Sequence, residues 1–156
     1  MEYRLYAPAD FAALYAIEEI CFQPPFRFSR TYMQRLVRSN SATTSIAEED
    51  GAMAGFAIVE LSAQSDGAVA YIVTIEVLPS FRRRGVGGEL LGRLEDAARA
   101  ATAMALWLHV DAENAGAMAL YEEHGYRCIG REENFYAARR PALVYRKLLK
   151  PDAHAA

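Results

Sequence analysis

Phe81-Arg82-Arg83-Arg84-Gly85-Val86-Gly87-Gly88-Glu89-Leu90-Leu91 joins two different periodicities and sets the reading of the whole chain. Before it, Ala70-Tyr71-Ile72-Val73-Thr74-Ile75-Glu76-Val77-Leu78 is a nearly continuous apolar run that reads as a strand. After it, Val86, Leu90, Leu91, Leu94 and Ala98 recur at helical spacing. Arginines and glycines therefore stand where a strand turns into a helix. Glycine lets the backbone approach a ligand and take positive φ. The first helical turn carries unpaired N–H groups and a partial positive charge. The combination suits an anion such as a pyrophosphate, held by main chain more than by side chains. For the short motif alone, the competing account is a helix start beneath a solvated basic loop.

A second segment makes the pattern specific. Leu106-Trp107-Leu108-His109-Val110-Asp111 reads as a strand, and a helix over residues 114–124 follows. Asn114, Ala117 and Tyr121, three and four residues apart, share one helix face. Gly125 stands at a helix C-cap position and Tyr126 begins another strand.

The R-x-x-G-x-G spacing of Arg82, Gly85 and Gly87, with the N-x-x-A-x-x-x-Y pattern of Asn114, Ala117 and Tyr121, resembles the GCN5-related N-acetyltransferases (GNAT) over nearly the whole chain. Neither G-x-x-x-x-G-K-[ST] nor G-x-G-x-x-G with a downstream acid is present. The resemblance is strongest to RimI-type and other protein N-terminal acetyltransferases. It implies an α/β (α+β) fold with a mixed, mostly antiparallel sheet, splayed parallel fourth and fifth strands, and helices on both faces. It further implies acetyl-CoA as cosubstrate, no metal, and direct acetyl transfer to an amine. The main chain of Ile75, Glu76 and Val77 would line the pantetheine arm. The backbone from Arg83 through Arg84, Gly85, Val86 and Gly87 to Gly88 would hold the pyrophosphate, with Arg82 beside it, and Asn114, Ala117 and Tyr121 would flank the cofactor.

Transfer to an amine needs a base, charge stabilisation at the carbonyl, and an acid for the leaving thiolate. By resemblance Tyr121 is the acid; its alternative role is a packed aromatic. His109 in Leu-His-Val and Tyr71 in Tyr-Ile-Val-Thr compete as base, each alone or through water. Each also has a plain structural alternative, as a satisfied core histidine and a cross-strand aromatic. Period-two spacing places Tyr71 on the face of Ile75 and turns Glu76 to the opposite, structural face. The acceptor site is expected from Phe26 and Phe28 in the loop between the first two helices, and from Tyr136 in residues 132–141, where Asn134-Phe135-Tyr136 resembles an N-Y-Y pattern. His109 and Asp111 depart from the L-E-V-R of the RimI type. Polyamine, aminoglycoside or amino-acid acetylation is the nearest alternative, and a non-catalytic acyl-CoA-binding domain a further one.

Bulk properties narrow the classes. The 156 residues suit one domain over residues 1–150, with 151–156 as a frayed tail. A hydrophobic share of 53% argues against disorder, and a net charge of −3 gives no general case for nucleic acid. No apolar run approaches the roughly 18–20 residues of a membrane span, and Met1-Glu2-Tyr3-Arg4 is unlike a signal peptide. Cys21 and Cys128 suit a reducing cytoplasm and lack zinc-ligand spacing. A monomer or homodimer is expected, with neither nucleic acid nor membrane as partner.

The remaining elements follow from punctuation. Strands are expected at residues 3–7, 46–49, 54–62, 69–78, 105–110, 125–132 and 143–149, and helices at 9–22, 30–38, 85–101 and 114–124. Ser29 is a helix N-cap, Asp50-Gly51 a hairpin turn, Ser65-Asp66-Gly67 another turn, and residues 39–45 a loop.

Overall fold

A computed structural model describes residues 1–64 and 67–149. The expected tail and most of the turn at Ser65-Asp66 lie outside the described residues. Strands β1 (Glu2–Leu5), β2 (Ala42–Glu49), β3 (Ala52–Gln64), β4 (Gly67–Val77), β5 (Ala103–Asp111), β6 (Arg127–Ala137) and β7 (Arg140–Leu148) form one sheet in the order β1-β2-β3-β4-β5-β7-β6. β4 and β5 are parallel, and every other neighbouring pair is antiparallel. Helices α1 (Phe11–Cys21) and α2 (Arg30–Arg38) pack on one face, α3 (Val86–Ala100) and α4 (Ala115–Glu123) on the other.

The expected helix face is the buried one. Val86, Leu90, Leu91, Leu94 and Ala98 are all almost fully buried and meet Ala57, Val59, Ala70, Ile72, Leu106 and Leu108 of the sheet. Truncating one of these leucines to alanine would cost about 2–5 kcal/mol, which keeps α3 and the loop ahead of it fixed. The opposite core joins Leu14, Ile17, Met33 and Leu36 to Ile46, Phe56 and Ile58. Ser29 caps α2, its Oγ accepting the Tyr32 N–H at 3.1 Å. Asp50 and Gly51 both have positive φ (53° and 81°), the conformation a tight two-residue hairpin requires.

Several boundaries differ from expectation. Pro8–Asp10 forms a 3-10 turn, with α1 starting only at Phe11. β2 begins at Ala42, so half of the expected loop at 39–45 is strand, held by pairing to residues 57–60 of β3. Residues 132–141 are a continuation of the β6–β7 hairpin, and Pro141 lies within β7.

The largest correction concerns β4. Ile58 pairs with Thr74, but its neighbour Val59 pairs with Ile72, leaving Val73 as an extra residue. This bulge swaps the faces of everything beyond it. Ala70 and Ile72 face α3 before it, and Ile75 and Val77 face α3 after it, while Val73 joins the α1/α2 core. Tyr71 and Ile75 are therefore on opposite faces, and Glu76 shares the α1/α2 face with Tyr71.

Candidate active site

The bulge sits where the sheet opens. β4 and β5 pair from Ala68/Ala103 to Ile72/Leu108 and no further, although β4 continues to Val77 and β5 to Asp111. From Val73 onward the β5-facing edge of β4 lacks a strand partner among the described residues. Such an edge can take an extended amide chain as an added strand. A cleft of about 650 Å³ follows this edge, lined by Ile75, Glu76, Val77, Arg82, Arg83, Gly85, Val86, Gly87, Gly88, Asn114 and Ala117 among others.

Its far end is the arginine–glycine loop. Arg83 and Gly85 both adopt left-handed backbone (φ 63° and 79°), and Gly85 is the N-cap of α3 with no side chain capping the helix. The first-turn N–H groups of α3 are thus left for a ligand. Two of the three arginines have other employment. Arg82 Nε donates to the Val77 carbonyl at 2.9 Å and its Nη2 to Cys21 Sγ at 3.7 Å, bracing the loop against the end of β4. Arg84 pairs with Glu49 at 2.7 Å, lies over Phe81, and is not among the cleft-lining residues. Arg83 alone of the three is exposed along the cleft with neither a side-chain hydrogen bond nor an ion pair among the described residues. Asn114 caps α4, its Oδ1 accepting the Ala117 N–H at 3.1 Å, so the expected face of Asn114, Ala117 and Tyr121 begins at the cap itself.

A second cavity of about 400 Å³ shares Cys21, Phe22, Ile75, Asn114 and Ala117 with the first. It is lined by Phe26, Phe28, Thr74, His109, Asp111, Tyr121 and Tyr136. Phe26 meets Tyr136 with ring centroids 4.8 Å apart, joining the α1–α2 loop to the β6–β7 hairpin. Asp111 accepts from Arg140 Nη2 at 2.8 Å; Arg140 Nη1 lies 2.7 Å from Glu113, and the guanidinium covers Phe26.

Tyr71 and His109 come together here. Tyr71 Oη is 2.9 Å from His109 Nδ1. Trp107, two residues before His109 on the same strand face, packs against both rings. Burial, reinforced by Tyr32, Glu132 and Glu60, pushes the Tyr71 phenol up to about 12. The Tyr121 phenol is also raised, by burial first and then by Tyr136 and Tyr71. Burial likewise raises Tyr136, with Tyr71 and Asp111 contributing. Three neutral hydroxyls thus lie within electrostatic reach of one another: Tyr121 and Tyr136 line the cavity, and Tyr71 meets it through His109. Tyr121 packs against Tyr126 and Tyr145 (centroids 5.6 and 6.3 Å).

Three further residues make contacts at the site that the chain alone did not show. Phe135 stacks on His109 (centroids 4.0 Å, planes 9° apart). Glu132 Oε1 lies 3.0 Å from His109 Nε2. Glu18 on α1 meets Glu76 beneath the cleft, both almost fully buried. The first two depend on β7 lying between β5 and β6, a strand order that no local pattern encodes. The third depends on the bulge at Val73.

The sequence profile of the acetyltransferase (GNAT) family matches residues 11–126. Over 87 residues the chain is 39% identical to [ribosomal protein bS18]-alanine N-acetyltransferase of Salmonella typhimurium, covering 56% of each. Over 98 residues it is 36% identical to streptothricin acetyltransferase of Streptomyces lavendulae, covering 63% of this chain and 51% of that one. The chain thus spans about half the length of the curated relatives it matches. The crystal structure of the ribosomal-protein-S18-alanine N-acetyltransferase from Escherichia coli superposes with a TM-score of 0.84 at 26% identity, covering 99% of this chain and 97% of that one. A splayed parallel strand pair, an uncapped glycine-started helix beside it and a profile match over most of the chain agree: this chain belongs to the acetyltransferase (GNAT) family.

Proposed function

We propose that the protein transfers the acetyl group of acetyl-CoA to the α-amine of a peptide or protein N-terminus. The observation that carries this reading is the Tyr71–His109 contact, whose histidine lines an aromatic cavity that joins the cleft along β4. The likeness to bS18-alanine N-acetyltransferase supports a polypeptide acceptor.

The residues present suit the cosubstrate. The unpaired edge of β4 from Val73 to Val77 matches the alternating amides of a pantetheine arm, and the turn from Arg83 to Gly88 matches a pyrophosphate. A main-chain N–H near Ile75 would stabilise the negative charge that builds on the thioester oxygen.

The base is the Tyr71–His109 pair acting together. A phenol raised to about 12 is a poor base by itself. It can pass a proton without becoming phenolate. As the amine nitrogen loses its proton to the Tyr71 oxygen, directly or through water, the Tyr71 hydroxyl hydrogen moves to His109 Nδ1. In direct transfer one N–H and one O–H bond break while one O–H and one N–H bond form, and an intervening water adds one O–H broken and one formed. Tyr121, held protonated by burial, donates to the departing thiolate. Phe26, Phe28 and Tyr136 grip the first residues of the acceptor.

The identity to streptothricin acetyltransferase favours a second reading, a small-molecule amine as acceptor. Release of CoA should be measured with short peptides bearing free N-termini, N-blocked lysine peptides, polyamines and streptothricin. Turnover confined to free peptide N-termini is the expected result; turnover confined to small amines would replace it with the second reading.

A further inference from the structure

We propose that Glu132 is a positioning residue for His109, holding the imidazole as the Nε2–H tautomer so that the Nδ1 lone pair faces the Tyr71 hydroxyl. His109 on β5 pairs with Val144 on β7, and Val144 pairs with Gly130 on β6. One step along the same face, Asp111 and Glu132 flank Ala142. Gly130 and Ala142 offer almost no side chain, so Glu132 reaches across β7 to a residue two strands away. Its Oε1 arrives 3.0 Å from Nε2, off the line of a hydrogen bond. Nε2 is buried and makes no hydrogen bond among the described residues, and this carboxylate is its one charged partner among them.

The tautomer follows from these contacts. A hydrogen on Nε2 lies beside a carboxylate oxygen that attracts it, and Nδ1 is then free to accept from Tyr71. The other tautomer would set the Nε2 lone pair against that carboxylate, in a place where an unpaired polar atom is costly. The ring cannot turn away, because Phe135 stacks on it. Phe135 reaches that position because Asn134 takes positive φ (58°) and its Oδ1 accepts the Arg139 N–H at 2.7 Å, folding the hairpin over β5. Glu132 is half exposed, so it contributes orientation more than fold stability.

The catalytic consequence rests on the acetyltransferase reading, while the geometric claim does not. Two measurements separate them. Nitrogen-15 NMR of the histidine ring should show His109 protonated at Nε2 in the wild type, the Nδ1–H form appearing in Glu132→Ala, and the wild-type tautomer retained in Glu132→Gln, which keeps an oxygen acceptor. Steady-state rates with a turned-over free N-terminal peptide should show kcat lowered about tenfold in Glu132→Ala, a part of what a general base supplies, with KM for acetyl-CoA unchanged and most of kcat restored in Glu132→Gln. An unchanged tautomer in Glu132→Ala overturns the proposal whatever the rates. A shifted tautomer with unchanged kcat overturns its catalytic half. A shifted tautomer in a protein that acetylates no peptide supports the positioning claim and sinks the N-terminal reading instead.

Discussion

Glu18 on α1 and Glu76 on β4 bury their carboxyl groups against each other between helix and sheet. One oxygen of each lacks a conventional donor, Glu18 Oε2 accepts the Phe28 N–H, and Thr74 donates to Glu76 Oε2. Two carboxylates so placed cannot both be charged, and a shared proton relieves them. Burial first, and Glu18 second, hold Glu76 protonated well above the ordinary carboxylate value of 4.5.

This pair gives the fold a definite pH signature. The unfolded chain surrenders the Glu76 proton at a lower pH than the folded one, so between the two values it binds fewer protons. The contribution of the pair to stability is full below the unfolded value and is lost as pH rises through the folded value, at up to about 1.4 kcal/mol per pH unit. Glu76→Gln keeps the shape and removes this loss. Urea unfolding at pH 5 and pH 8 should show the variant gaining on the wild type as pH rises; a difference independent of pH would refute the shared proton.

Tyr121→Phe removes the hydroxyl and leaves the ring among Tyr126 and Tyr145. Turnover should drop by about 10²–10⁴-fold while acetyl-CoA affinity by calorimetry is unchanged. Equal losses in both would make Tyr121 a cofactor-binding residue.

Tyr71→Phe and His109→Gln should be non-additive. If the two pass one proton between them, the double variant turns over about as fast as the slower single one. Multiplying effects would mean that they act separately.

Gly85→Ala tests the cradle through backbone alone. A Cβ there meets nothing within 4 Å, so any effect comes from φ 79°. A left-handed non-glycine residue costs about 1–2 kcal/mol, and acetyl-CoA affinity should fall correspondingly. Gly85→Asn should fall less, because asparagine tolerates this conformation. Identical affinities for all three would show that the loop does not hold the ligand in this shape.

Arg140→Ala should loosen the grip on the acceptor. Arg140 ties Asp111 to Glu113 and covers Phe26. A raised KM for the peptide with unchanged KM for acetyl-CoA is expected, and the reverse split would place Arg140 on the cosubstrate side.

Much of this architecture was legible in the chain because it is local. The apolar spacing from Val86 to Ala98 named the buried face of α3, Asp50-Gly51 named a hairpin, and Ser29 named a cap. The glycine-rich strand-to-helix turn and Asn114-x-x-Ala117-x-x-x-Tyr121 pointed to the family and to the cleft wall. The irregular parts were hidden. Period-two reading carried Tyr71 and Ile75 to one face because a bulge leaves no mark in an unbroken apolar run such as Tyr71-Ile72-Val73-Thr74. The charge of Arg82 and Arg84 is visible in sequence, and their contacts with the Val77 carbonyl and Glu49 are not.

The sequence by itself determined most of the strands and helices, the buried face of α3, and the glycine-rich turn that starts it, since each follows from contacts within a few residues. Only the tertiary structure decided that Glu132, Phe135 and Tyr71 surround His109 and that Glu18 meets Glu76. Those meetings depend on a strand inserted out of order and on one extra residue in β4. Both are chosen by how the whole sheet packs against its two layers of helices.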